Sequence, residues 1–210
     1  MPHPSIRFRS ALLTFLPTCL LVAMLAFAAR PAEAATITVC AVGCDYPTID
    51  AAEFNATSGD TILISDTIHT DSDYISKDLT ISGLGSGATI LQAAGSRGSA
   101  SGRVLTIAPG VTVTITNMTI RWGNELTVYG GGLYINNTAT AFVDNVVITE
   151  NDSNFGGGIY NAGTLTINNS YISNNTAISI TGSSGGGIYN TDVGTVLTMT
   201  NSTVANNNTN

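Results

Sequence analysis

The carboxylates of this sequence could do acid–base or metal chemistry only if their spacing brought them together. Glycosidases need two carboxylates at a defined separation, and Ca²⁺ needs several oxygen ligands. Between residues 126 and 191 the acids are Asp144, Glu150 and Asp152. Glu150 and Asp152 are two residues apart and are predicted to project to one side, where they could bind Ca²⁺ weakly with Asn151 and Asn154; two solvated turn acids are the alternative. No other cofactor is predicted.

Arg121 and Trp122 form a second pair with chemical potential. An indole offers a face on which a sugar can stack, and a guanidinium offers a fork for a carboxylate. The alternative is a Trp122 that packs on the surface of a sheet beside a solvated Arg121. No Lys or Arg follows Arg121 in the chain, so the later residues cannot clamp a polyanion.

The overall charge narrows the choice of partners. The 210 residues carry a formal charge of −7, with 7 basic and 14 acidic side chains. Nucleic acid and anionic lipid are therefore poor partner candidates, and no nucleic-acid partner is predicted. Carbohydrate, or the surface of a host or neighbouring cell, is the partner class that we expect. Contact with a membrane is expected only through a signal segment or an unseen C-terminal anchor.

The first 34 residues have the pattern of a signal peptide. Arg7 and Arg9 precede an apolar run over 11–29, and Ala32-Glu33-Ala34 is a small-x-small site, which predicts cleavage before Ala35. An uncleaved membrane anchor is the alternative, because the run is nearly long enough to cross a bilayer. Export predicts an extracytoplasmic protein, either secreted or displayed on a bacterial cell surface or outer membrane.

Two cysteines of the exported part are close together. Cys40 and Cys44 in "CAVGC" are predicted to form a local disulfide, since exported proteins meet oxidising conditions. A metal site would need further ligands, and His69 in "TIHTDSD" is interpreted as a solvated loop residue.

A repeat appears when "VTVTITNMTI", "TAFVDNVVITEN", "TLTINNSYISNN" and "VLTMTNSTVANN" are aligned on one shared asparagine. The positions two and four before it and three after it are apolar in every copy, and the positions between them are mostly polar. This alternation is typical of strands with one buried face. The asparagines are predicted to point inward and to form a hydrogen-bonded ladder between successive units; they are Asn117, Asn145, Asn169 and Asn201.

Glycine triplets mark the same repeat. They begin at Gly130, Gly156 and Gly185, where each strand follows a turn that needs positive φ or a close backbone approach. The next apolar residue is predicted to face inward and the tyrosine after it outward. Those tyrosines would form a column that is the preferred binding surface of the chain, or simply stacking that stabilises the fold; they are Tyr134, Tyr160 and Tyr189.

These patterns predict an all-β fold, a right-handed parallel β-helix in which each coil stacks on the one before. Residues 35–60 are predicted to form an N-terminal cap with a short helix, because Ile49, Ala52 and Ala56 have helical spacing after Pro47-Thr48. Residues 61–210 are predicted to form the coils. The sequence ends where the next glycine unit is due, so we expect the coils to be truncated at their C-terminal end.

The opening "CDYPTIDAAEFNATSGDTI", followed by "LTISGLGSGATIL", resembles the N-terminal cap and first coil of the pectin-lyase-like parallel β-helix superfamily. The units "GGGIYN" and "LTINNSYISNN" resemble repeats of polymorphic outer-membrane proteins and related bacterial surface proteins. The resemblance covers about residues 40–210. The resemblance implies the β-helix fold. It does not imply one activity, because the superfamily includes polysaccharide lyases, glycosidases, esterases and non-enzymatic adhesins.

The alignment gives each carboxylate non-acidic neighbours on the adjacent coils, so no catalytic residue is predicted. The expected stacks are Asp144 with Thr116, Asn168 and Thr200; Glu150 with Trp122, Asn174 and Asn206; and Asp152 with Asn124, Thr176 and Asn208. We therefore predict a secreted or cell-surface protein that acts as a structural or adhesive scaffold rather than as an enzyme. The alternative is a fragment of a pectate-lyase-like or glycosidase-like enzyme whose catalytic coils lie beyond residue 210.

Overall fold

The structure, a computed structural model, describes residues 33–178, 182, 184–191 and 194–209. Except for its last two residues, the predicted signal peptide therefore lies outside the described residues. In chain order the elements are β1 (Thr36–Val39), α1 (Ile49–Asn55), β2 (Thr61–Ile64), β3 (Ile68–Thr70), β4 (Asp73–Ile75), β5 (Leu79–Ser82), β6 (Ile90–Gln92), β7 (Leu105–Ile107), β8 (Thr112–Arg121), β9 (Asn124–Tyr129), β10 (Leu133–Ile135), β11 (Thr140–Thr149), β12 (Asp152–Phe155), β13 (Ile159–Asn161), β14 (Thr164–Asn168), β15 (Tyr171–Ser173), β16 (Thr176–Ala177), β17 (Ile188–Asn190), β18 (Val196–Thr200), β19 (Thr203–Ala205) and β20 (Asn208–Thr209).

The strands form three parallel sheets, and the chain visits them in turn. Sheet A has the order β1-β2-β5-β8-β11-β14-β18, with β3, β6, β15 and β19 beside this path. Sheet B has the order β4-β7-β10-β13-β17, and sheet C has the order β9-β12-β16-β20. From β8 onward each coil runs through sheet A, then sheet C, then sheet B. The predicted parallel β-helix is therefore confirmed.

The core consists of apolar columns in which each coil places a side chain on the equivalent side chain of the coil before. Ile115 pairs with Val143, which pairs with Ile167, and all three are fully buried. Burying each such side chain stabilises the fold by about 1.5–3 kcal/mol. On the last described coil the equivalent positions are exposed by 36% at Leu197 and Met199.

The N-terminal cap contains a strand as well as the predicted helix. Strand β1 pairs in register with β2, so sheet A already begins at Thr36, which the sequence patterns did not predict. Helix α1 begins after Thr48, whose hydroxyl accepts a hydrogen bond from the Ala51 N–H at 3.2 Å. Its residues Ile49 and Ala52 are buried, as their spacing predicts.

A lysine holds the other end of the helix. The Lys77 ammonium group donates to the backbone carbonyls of Glu53, Phe54 and Ala56 at 2.6, 2.9 and 2.9 Å. These carbonyls lack helical partners and carry the negative end of the helix dipole, so a cation is favourable there. The contact fastens α1 to the segment between β4 and β5.

The glycine triplets are required by close backbone packing between coils. The N–H of Gly131 donates to the carbonyl of Gly157 at 3.1 Å. A Cβ atom on Gly157 would lie only 2.6 Å from the carbonyl oxygen of Gly186 on the next coil. The first glycine of each triplet has the positive φ that was expected, for example 65° at Gly156. Both predicted reasons for glycine therefore operate, at different positions of the triplet.

We expect Gly157→Ala to destabilise the protein by about 1–3 kcal/mol, because the new methyl group would force two coils apart. Equilibrium unfolding in urea measures this change. Gly95→Ala is the matched control, since a Cβ atom there meets nothing within 4 Å. Equal stability of the two variants would contradict the packing explanation.

Candidate functional site

The predicted tyrosine column exists in the structure. Tyr134, Tyr160 and Tyr189 are the middle residues of β10, β13 and β17, and the strand register places them side by side. Their neighbours Leu133 and Ile159 are fully buried, so the tyrosines project from the outer face of sheet B.

Sequence reasoning missed a second row of rings next to this column. Tyr129 and Phe155 are paired in register at the ends of β9 and β12 in sheet C. Each comes directly before a glycine triplet, and this was the signal that could have found them. The triplets carry no side chains, so the turn leaves the two rows free to touch. We call Tyr129, Tyr134, Phe155, Tyr160 and Tyr189 the aromatic surface.

The rings of the aromatic surface hold one another in place. Tyr160 stacks on Tyr129 with centroids 4.3 Å apart and on Tyr189 with centroids 5.3 Å apart. Tyr134 is tilted against Tyr160 at 5.4 Å, and Phe155 meets Tyr189 edge-on at 5.5 Å. Each such pair contributes about 0.5–1.5 kcal/mol beyond simple burial. The surface is therefore ordered before any ligand arrives.

One cation borders the aromatic surface, and a carboxylate balances it. The Arg103 guanidinium lies 4.7 Å from the centre of the Tyr134 ring, and its Nη2 atom is 3.6 Å from Glu125 Oε2. Burial lowers the pKa of Arg103, and Glu125 opposes this effect. Beyond this pair the edge is apolar, because Leu126 is 51% exposed and Val128 is also exposed on β9.

Arg121 and Trp122 lie on another corner, between sheets A and C, and are not part of the aromatic surface. The Arg121 guanidinium lies 3.8 Å from the centre of the Trp122 ring, so the pair covers its own stacking face. Arg121 Nε donates to Gln92 Oε1 at 3.0 Å, and Trp122 Nε1 donates to Glu150 Oε2 at 2.7 Å. Both side chains thus have protein partners, which favours the structural alternative for this pair.

The weak Ca²⁺ site predicted at Glu150 and Asp152 is not assembled. Glu150 is bonded to Trp122, while Asp152 accepts two hydrogen bonds from Arg97 at 2.6 and 3.0 Å. The bond to Asp152 raises the pKa of Arg97. Asn151, expected to be a ligand, is fully buried. In the described ranges no three His, Cys, Asp or Glu side chains are arranged to hold a metal ion.

Two of the three predicted carboxylate stacks are confirmed, and the stack of Glu150 stays a prediction. Asp144 pairs with Thr116 and Asn168 in sheet A, and Asp152 pairs with Asn124 and Thr176 in sheet C. Each of these two acids thus pairs only with neutral residues on the adjacent coils, and the Arg97 that contacts Asp152 comes from outside the paired strands.

The predicted asparagine ladder lies at the surface, which corrects the expected inward orientation. All four asparagines turn the chain with a left-handed backbone, which asparagine tolerates better than most residues; the φ angles are 59° at Asn117, 54° at Asn145, 48° at Asn169 and 50° at Asn201. Asn145 Nδ2 donates to Asn117 Oδ1 at 2.8 Å, but Asn169 Nδ2 donates to Asp144 Oδ1 instead.

A buried ladder, which was not predicted, lies six residues later in the same repeat. Asn151 Nδ2 donates to Asn175 Oδ1 at 3.0 Å, and Asn175 Nδ2 donates to Asn207 Oδ1 at 2.9 Å. The backbone N–H groups of Gly123 and Asn151 donate to the amide oxygens of the next coil. A Cβ atom on Gly158 would lie 2.9 Å from Asn175 Nδ2, so the third glycine of each triplet makes room for the ladder.

Two further predictions concern the N-terminal end. Cys40 and Cys44 are joined by a disulfide, with their Cα atoms 5.5 Å apart.

The interpretation of His69 as a solvated loop residue is wrong, because His69 is the middle residue of β3 and is only 6% exposed. Its Nδ1 atom lies 3.1 Å from Asp66 Oδ2, and its Nε2 atom 3.7 Å from Asp71 Oδ2. Inward-facing β3 positions were not recognised because the strand has only three residues.

Coils of three parallel strands, stacked in register behind a short N-terminal helix, define the architecture. The chain has a parallel β-helix fold. No family model and no curated protein matches the sequence, so the resemblances to the pectin-lyase-like superfamily and to polymorphic outer-membrane proteins stay predictions. In the described part of the chain the helix α1 has seven residues, and no helix there has the length and apolar character needed to cross a membrane.

Solved structures of pectin methylesterases are similar to this fold at low identity. One bound to a hexasaccharide is 15% identical with a TM-score of 0.44, and a variant bound to another hexasaccharide is 16% identical with a TM-score of 0.47. Both alignments cover 82% of this chain, which spans 66% of those proteins. The enzyme from Erwinia chrysanthemi is 15% identical, with a TM-score of 0.38 over 72% of this chain and 56% of that one.

At such scores these neighbours specify no activity. Any functional argument for this chain must therefore come from its own side chains.

We expect Asn175→Ala to lower the free energy of unfolding by about 1–3 kcal/mol or more, because it leaves buried donors on Asn151 without an acceptor. The unfolding free energy in urea tests this. Asn168→Ala, on the half-exposed face of β14, is the control and should change stability far less. A larger loss for the control would contradict the importance of the buried ladder.

Proposed function

We propose that the protein is an extracytoplasmic β-helix that binds neutral polysaccharide chains through its aromatic surface. The observation that carries the proposal is the ordered group of five rings from two adjacent sheets on three successive coils. Sugar rings bind through apolar C–H faces and surrounding hydroxyl groups. Tyrosine suits both, since its ring is apolar and its hydroxyl group can donate or accept a hydrogen bond.

The geometry of the surface fits an extended ligand rather than a small one. Successive coils are separated by about 4.8 Å, so the column from Tyr134 to Tyr189 spans about 10 Å along the axis. Tyr129 and Phe155 widen the surface across the coil, and exposed Leu126 and Val128 extend it. A polysaccharide chain can contact several of these groups at once, whereas a monosaccharide can contact only one or two.

The charges favour a neutral glycan over an acidic one. Arg103 is the cation that contacts the rings, and Glu125 offsets its charge. The formal charge of −7 adds a repulsive field for any polyanion. A polyuronate would therefore meet repulsion, while an uncharged chain would bind through stacking and hydrogen bonds alone.

Two of the similar solved structures are complexes with a hexasaccharide, which is the chemical class of ligand proposed here. The proposal rests on the rings and not on that likeness. Polysaccharide binding is a property that an adhesive scaffold and an enzyme would share, so the enzyme alternative is tested by a separate measurement of catalysis.

We expect Tyr129→Ala to weaken binding to a neutral glycan by about tenfold, since an anchoring ring contributes more than 1 kcal/mol. Affinity electrophoresis through gels that contain a neutral glucan, a galactan or polygalacturonate measures the retardation. Tyr171→Ala is a matched control. The two tyrosines are almost equally exposed, Tyr171 by 40% and Tyr129 by 39%, but Tyr171 lies on sheet A, away from the aromatic surface.

Equal losses for the two tyrosine variants, or no retardation by any glycan, would refute the proposed surface. Stronger retardation by polygalacturonate would refute the preference for neutral chains. Release of reducing ends or of methanol from pectin by the wild-type protein would show that the described coils are catalytic.

A further inference from the structure

The segment below α1 holds an unusual concentration of unsatisfied polar atoms. Across the described ranges, four buried side-chain atoms have no hydrogen-bond partner, and all of them belong to His69, Asp71 and Asp73. They are His69 Nε2, Asp71 Oδ2 and both carboxyl oxygens of Asp73. Buried polar groups are almost always paired in native proteins, so such a group indicates a missing proton, water or ion.

Asp73 occupies a position that is otherwise apolar. It pairs in register with Leu105, which pairs with Leu133 on the next coil, and this column faces the core. Asp73 is only 4% exposed. A charged carboxylate at such a place, with no cation beside it, would be strongly unfavourable, whereas a neutral carboxyl group is tolerated.

The carboxylates that face Asp73 make its ionised form still less favourable. Asp71 lies two residues before it, and Asp50 faces it from α1. Lys77 is occupied by the carbonyls at the end of the helix, and the Glu53 carboxylate accepts bonds from the N–H and hydroxyl of Ser76. The neighbouring strands β1, β2, β6 and β7 contain no titratable residue.

His69 is the one member of this group of three residues that can carry a positive charge. Asp66 lies on one side of its ring and Asp71 on the other, at 3.1 and 3.7 Å. A proton on His69 gives Nε2 a charge that faces Asp71, and a proton on Asp73 provides a donor for the remaining oxygen of Asp71. The two protons would thus leave one oxygen of Asp73 as the single unpartnered atom of these four.

We propose that His69, Asp71 and Asp73 form a proton-binding site that holds α1 on the first coil in mildly acidic surroundings and releases it as the pH rises. The release has a direct cause. Loss of the proton from Asp73 places a buried negative charge beside Asp50, which belongs to the helix itself.

The direction of each titration supports this site. Burial first, and then the Asp71 and Asp50 carboxylates, raise the pKa of Asp73 to about 9. Asp71 raises the pKa of His69 against the opposing effect of burial, and Asp66 adds to the increase. Both groups hold protons more tightly in the closed cap than in the open one. Their contribution is thus complete at low pH and is lost as the pH rises through the window that ends near 9 for Asp73.

Asp71 sets the acid limit of the site. Burial acts to raise its pKa, but His69 and the backbone N–H of Ser72 hold the pKa below its ordinary value. Its contribution is present above that ordinary value and is lost as the pH falls through the lower, folded value. The cap should therefore be tightest at mildly acidic pH.

Hydrogen exchange of the 210-residue chain between pH 5 and 9, corrected for intrinsic exchange rates, tests the proposal. Each proton released on opening should increase the opening of α1 by about tenfold per pH unit. The core strand β11 serves as an internal reference and should change much less. Asp73→Asn imitates the neutral acid and should flatten the pH dependence; Asp144→Asn makes the same charge change on the outer face of sheet A and should not.

An unchanged pH dependence in Asp73→Asn would overturn the proposal. If that variant does not fold, two experiments replace it. One is the same exchange measurement on Asp73→Leu, which extends the leucine column, and the other is a carboxyl ¹³C titration of Asp73 in the wild-type chain. An Asp73 that titrates near pH 4 would also overturn the proposal. Protection of α1 by millimolar Ca²⁺, lost on adding a chelator, would identify a cation site instead and would also overturn it.

Discussion

Stacking at the spacing of hydrogen-bonded strands is the constraint on which this molecule depends. Each residue lies about 4.8 Å from its equivalent on the next coil, so the two must be compatible in size and polarity. Isoleucine, valine and leucine satisfy this in the core, and aromatic rings satisfy it outside, as at Tyr160 and Tyr189. The turns obey the same condition, because Gly157 leaves no space for a Cβ atom against Gly186.

The sequence allowed the fold to be predicted because one face of every strand is apolar and because the repeat could be aligned. The same alignment placed the tyrosine column and the stack of Asp152 with Thr176, which the register confirms. It could not reveal that Asn117 adopts a left-handed corner while Asn151 is buried, since both are asparagines beside a strand. Backbone conformation, rather than residue type, separates the two ladders.

The remaining differences come from residues that break the alternation. His69 and Asp73 take inward positions that a pattern of apolar residues would never assign to them, and their strands are too short to reveal a period. Tyr129 and Phe155 became part of a surface only when the turn brought sheet C against sheet B. Their position before a glycine triplet marks the two residues in the sequence, but the ring contacts themselves depend on neighbours from separate strands.

The buried ladder also gives the solenoid a direction. Asn151 donates through its side-chain nitrogen to the oxygen of Asn175, and Asn175 does the same to Asn207, so these side-chain dipoles point the same way along the axis. Hydrogen bonds in such a row polarise one another and become stronger together than apart. Neighbouring coils are therefore coupled electrically as well as by packing, and a coil that lacked its asparagine would weaken the bonds on both sides of it.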